Sequence, residues 1–69
     1  MSILGKNIKF FRKQESMTQE QLAKLLKLDR TTVVGYESGK HEPSLSILIA
    51  IADIFDTSVD ELLGRKEGY

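Results

Sequence analysis

Sixty-nine residues without a cysteine make one small domain that neither disulfides nor thiolate-bound metals can staple. At 41% apolar residues the chain can build a core by close helix packing, and its longest unbroken apolar run, residues 47–52, falls far short of the ~20 residues a membrane span requires. The net charge of zero hides an asymmetry: residues 1–41 carry eight Lys and Arg against four Asp and Glu, a net +4, and residues 42–69 carry two against six, a net −4.

Apolar spacing predicts five helices and no strand. The first runs from about 2 to 14, with Leu4, Ile8 and Phe11 at i, i+4 and i+7 as its core stripe. Thr18 opens the second through a capping box with Gln21, and Met17 and Leu22 stand at the positions of a hydrophobic staple around it. Leu22, Ala23 and Leu26 then recur at helical spacing. Asp29 caps the third helix, about 29–38, with Leu28 and Val33 as its staple pair and Gly39 as its stop. His41, Glu42 and Pro43 form a loop, and Ser44 caps a fourth helix over residues 45–55. Ser58 and Glu61 make a second capping box, opening a short fifth helix through Val59, Leu62 and Leu63 that Gly64 ends. Residues 1–64 are thus expected to form the domain, and residues 65–69 a tail or the start of a linker. The opening MSILGKNIK has no long apolar stretch after its charges, so a secretory leader is not expected and a reducing cytoplasm is the expected compartment.

The second and third helices are short and closely joined, so they must cross steeply, the helix-turn-helix arrangement used on DNA. With Val33 at the core, the 100° step of a helix sets Tyr36 and Glu37 beside it and turns Thr31, Val34, Gly35 and Ser38 to the opposite face, Arg30 at its edge. An outward Val and Gly suit a groove better than water. The methyls of Thr31 and Val34 match thymine C5-methyl groups, Arg30 matches guanine or a phosphate, and Gly35 would let the backbone approach closely. The positive half of the chain contains this helix, as a phosphate-binding face requires.

Two further polar residues allow more than one reading. Arg12 is either a phosphate contact beside Lys6, Lys9 and Lys13 or the partner of Glu37. His41 reads as a loop residue near phosphate, because the partners a metal site needs are missing. There is no cysteine nucleophile, GxSxG or Gly-rich phosphate loop, so no enzyme, cofactor or small-molecule ligand is expected.

The fourth helix is apolar nearly all round. Leu45, Leu48, Ala52 and Phe55 are assigned to the core. Ile47, Ala50, Ile51 and Ile54 form a second stripe, expected with Leu62 or Leu63 to pair two copies of the chain, with Ile3 and Phe10 as the alternative surface.

The segments IKFFRK (8–13), MTQEQLAKLLKLDRTTV (17–33), YESGKHEPSL (36–45) and IADIFDTSVDELL (51–63) resemble, in order and spacing, the Cro and lambda-repressor type of helix-turn-helix domain, also called the xenobiotic-response-element family. The resemblance implies an all-α, compact five-helix domain that binds double-stranded operator DNA as a homodimer with the third helix in the major groove. It implies a transcriptional regulator, more simply a repressor, from a bacterium or phage. A DNA-binding antitoxin, a restriction-modification controller, or an interaction module of the same fold that has lost DNA binding are the alternatives. By resemblance Gln19 touches the DNA backbone and supports base contacts, Arg30, Thr31 and Gly35 hold base-reading positions, Lys40 contacts backbone, and Arg12 and Glu37 form a structural salt bridge. Lys27 departs from the family's frequent Gly at the turn, and Gly35 from a long polar reader.

Overall fold

Four of the five helices begin at a hydroxyl that takes up a first-turn N–H. Ser2, Thr18, Ser44 and Ser58 accept from Gly5, Gln21, Ile47 and Glu61 at 2.9, 3.0, 3.3 and 3.0 Å. Thr18 and Gln21 complete a reciprocal box, the Gln21 amide oxygen accepting the Thr18 N–H at 2.7 Å. The resulting elements, in a computed structural model that describes residues 2–65, are α1 Ile3–Gln14, α2 Gln19–Leu26, α3 Arg30–Ser38, α4 Leu45–Ile54 and α5 Val59–Leu62. Among these residues there is no strand, and no helix is long and apolar enough to cross a membrane. Of the expected tail, residues 66–69 lie outside the described residues.

Asp29 does not cap as expected. It holds the N-cap position of α3 with extended backbone, but its carboxylate makes no cap bond, and its own carbonyl accepts from Thr32 and Val33. The α2–α3 turn is made by Lys27 in the left-handed region, φ 59° and ψ 41°, without the glycine that region favours.

Ile8, Leu22, Val33, Ile51 and Leu62 are fully enclosed, one from each helix, so the core is shared by all five. Phe11 stacks on Phe55 with ring centroids 6.0 Å apart and ties α1 to the end of α4. Gly5 lets α1 rest on the C-terminal turn of α3: a Cβ there would stand 2.6 Å from the carbonyl oxygens of both Tyr36 and Glu37. The Asn7 amide donates to the carbonyls of Glu61 and Leu62 at 3.2 and 3.0 Å, satisfying the end of α5 from α1.

The sides of α4 differ from expectation. Leu48, Ile51, Ala52 and Phe55 form the buried stripe, whereas Leu45, at the first position of the helix and beyond the reach of the core, is 70% exposed. Ile51 and Leu62, expected at a surface between copies, are buried within the single chain and have nothing to offer a partner. Ile47, Ala50 and Ile54 are half-buried against the core, while Ile49, which the expected stripe omitted, is 45% exposed. An i, i+3, i+4 pattern fits several faces of a helix this apolar, so spacing alone could not orient it.

Candidate nucleic-acid interface

The carboxylate of Glu37 is the point on which the first three helices converge. It lies on the inward edge of α3 and accepts from Arg12 of α1 through two parallel bonds, Nε to Oε2 at 2.6 Å and Nη2 to Oε1 at 3.0 Å. The third arm of the guanidinium, Nη1, donates to the carbonyl of Met17 at 2.7 Å, just before α2 begins. Gln19, the first residue of α2, adds Nε2 to Glu37 Oε1 at 3.1 Å. Both charged partners are buried, so desolvation makes the pair costly unless their polar atoms are bonded, and here the fork and the added amide give each carboxylate oxygen at least one donor. Arg12 is thereby placed inside the scaffold and not among the surface lysines.

This clamp fixes the angle at which α3 is presented. Val33, Tyr36 and Glu37 point inward, and Arg30, Thr31, Val34 and Ser38 lie exposed on the outer side. Lys6 and Lys9 of α1 line a cleft of about 380 Å³ together with Gln19, Val34 and Ser38, so two cations flank the outer face of α3. Arg30 borders a second depression with Thr18, Gln19 and Glu20 at the positive end of α2. Lys40 is exposed in the loop that follows, its N–H donating to Ser38 Oγ at 3.4 Å. Methyl groups for apolar contact, one guanidinium and flanking ammonium groups thus occupy one side, the composition that reads bases and binds phosphate.

Gly35 is where the structure departs from the expected face. It does not offer bare backbone: the residue is buried, and a Cβ built on it would stand 2.5 Å from Cδ2 of His41. The loop after α3 folds back and lays an imidazole over that position. Sequence named Lys6 and Lys9 only as company for Arg12 as a phosphate contact, and His41 only as a loop residue near phosphate; it placed neither against the outer side of α3.

The helix-turn-helix family model matches residues 8–62, which take in all of α2 to α5 and the inner part of α1. The chain belongs to the Cro and lambda-repressor type of helix-turn-helix domain. Among curated relatives of this helix-turn-helix chain, the HTH-type transcriptional regulator AnsR of Bacillus subtilis is 46% identical over 56 residues, 81% of this chain and 48% of AnsR. The control protein C.SmaI of Serratia marcescens is 38% identical over 64 residues, 93% of this chain and 76% of that protein. The chain therefore spans about half the length of one and most of the other. The fold is that of the P22 c2 repressor, solved in complex with a synthetic operator: TM-score 0.86 at 24% identity, covering 96% of this chain and 100% of the other.

Proposed function

We propose that this helix-turn-helix domain is the DNA-binding part of a transcriptional regulator, acting as a repressor by occupying a palindromic operator as a homodimer in the cytoplasm. The observation that carries the reading is the outer face of α3, where Arg30, Thr31, Val34 and Ser38 stand exposed beside the Lys6–Lys9 cleft, held in place by the clamp on Glu37. Arg30 would take a guanine edge and the Thr31 and Val34 methyls thymine methyl groups, while Gln19 and Lys40 hold the sugar-phosphate backbone. Blocking a promoter needs no chemistry beyond such binding, so the reading involves no cofactor and no catalytic residue.

One reading helix offers few base contacts, each worth ~1–3 kcal/mol, and a two-fold pair doubles them. The surface for that pairing is the exposed aliphatic set on α4 and just after α5: Leu45 and Ile49 one turn apart, and Leu63. The half-buried Ile47, Ala50 and Ile54 would form its rim.

A second reading, a controller of a restriction-modification system, is favoured by the likeness to C.SmaI, which extends over nearly the whole chain. It keeps the same DNA contacts and changes the gene controlled, so the neighbouring gene separates the two.

Selection of bound sites from random duplex DNA tests the proposal. The expected result is enrichment of an inverted repeat with half-site centres about 10 base pairs apart. Recovery of no preferred sequence by a folded protein would contradict it and favour an interaction module.

A further inference from the structure

The exposed side chain of His41 is laid against the outer side of α3. Position 35 lies about 40° round the helix from Thr31 and about 60° from Ser38, both on the same side of it, at the margin of the exposed face. A residue there would ordinarily send its side chain outward along the margin of that surface beside Thr31. Gly35 has none, and the imidazole of His41 fills the place: its Cδ2, Cγ and Cβ lie 2.5, 3.4 and 3.6 Å from where a Cβ of residue 35 would be.

The ring arrives there by backbone design. Gly39, in the left-handed region at φ 83°, reverses the chain at the end of α3. The N–H of His41 then donates to the Gly35 carbonyl at 3.2 Å, and the Ser38 hydroxyl donates to the same carbonyl at 3.2 Å. The Cδ2 edge of the ring faces the helix, so the Nδ1–Cε1 edge is the one farthest from it. Among the described residues neither ring nitrogen has a hydrogen-bond partner, and the side chain is exposed. An imidazole with both ring nitrogens uncommitted, fixed beside Thr31 on the outer side of a reading helix, has the chemistry to bond a base edge.

The geometry points to His41 as a specificity-determining residue: it supplies from the loop the base contact that Gly35 leaves vacant, and the glycine is there to admit the ring. This rests on the DNA-binding reading above and names a reader that it lacks.

The test is site selection and duplex titration with four proteins: the unaltered chain, His41→Ala, Gly35→Ala and the double variant. His41 is exposed, so its removal leaves the fold intact, which circular dichroism checks. His41→Ala should lose preference at one base pair of each half-site and bind the selected duplex about tenfold more weakly, with little change on random duplex. Gly35→Ala, whose new methyl displaces the ring, should lose preference at the same base pair. The double variant should be no weaker than either single one, because the same contact is lost only once. An unchanged preference in His41→Ala, or an equal loss on selected and random duplex, would overturn the inference while leaving the DNA-binding reading standing. An unaltered chain that selects no sequence would overturn both.

Discussion

Glu37 joins the first three helices, since it receives Arg12 and Gln19 and lies on the helix whose outer face is proposed to meet DNA. Removing either member of a buried ion pair leaves the other unpaired in a poorly solvated place. Arg12→Ala and Glu37→Ala should therefore each cost ~3–5 kcal/mol in denaturant unfolding. The double variant should lose clearly less than the two together, because each single change already destroys the pair. Additive losses would show the two residues acting separately. A milder change probes the neighbouring crossing. Gly5→Ala inserts a methyl against two backbone carbonyls that cannot rotate away, so α1 and α3 must part, at about 1–3 kcal/mol. An unchanged melting point for Gly5→Ala would mean that the crossing is looser than the structure has it.

Helix ends give a sharper contrast than helix interiors. Thr18 and Asp29 occupy equivalent positions, yet only Thr18 bonds through its side chain. Thr18→Ala should cost ~1 kcal/mol and Asp29→Ala clearly less. At the α2–α3 turn, Lys27→Gly should stabilise the chain by about 1 kcal/mol, since glycine relieves the left-handed backbone the lysine now holds. Thermal unfolding reads all three, and a stabilising Asp29→Ala or a destabilising Lys27→Gly would contradict the assignment. At this scale much was legible in sequence. Caps such as Thr18–Gln21 and stripes such as Leu22, Ala23 and Leu26 are local, set by spacings of three and four residues. The orientation of α4 was not legible, because with apolar side chains on nearly every side the choice between Leu45 and Ile51 for the core depends on where the other helices lie. Gly5, Asn7 and the seat of His41 against Gly35 escaped for a related reason. Each acts through a partner distant along the chain or brought close by a reversed loop, and nothing in the flanking residues reports it.

For the molecule as a whole, the arrangement separates two tasks. The first three helices hold Lys6, Lys9, Arg30 and the outer side of α3, while α4 and the end of α5 carry Leu45, Ile49 and Leu63. Pairing through the second set would leave the first free, provided it spaces the two α3 helices about 34 Å apart, one turn of DNA. Ile49→Lys should then give folded monomers by sedimentation whose affinity for a two-half-site duplex falls sharply, although no DNA contact has been altered. A dimer that survives that charge would move the interface to Ile3 and Phe10, which are also exposed. The central claim, that the outer face of α3 reads sequence, is tested most directly by titrating Arg30→Ala and Lys40→Ala against the selected duplex and a random one. Arg30→Ala should lose ~1–3 kcal/mol on the selected duplex and much less on the random one, and Lys40→Ala should weaken both alike and lower the salt slope by about one. Equal binding by both folded variants and the unaltered chain on both duplexes would contradict it.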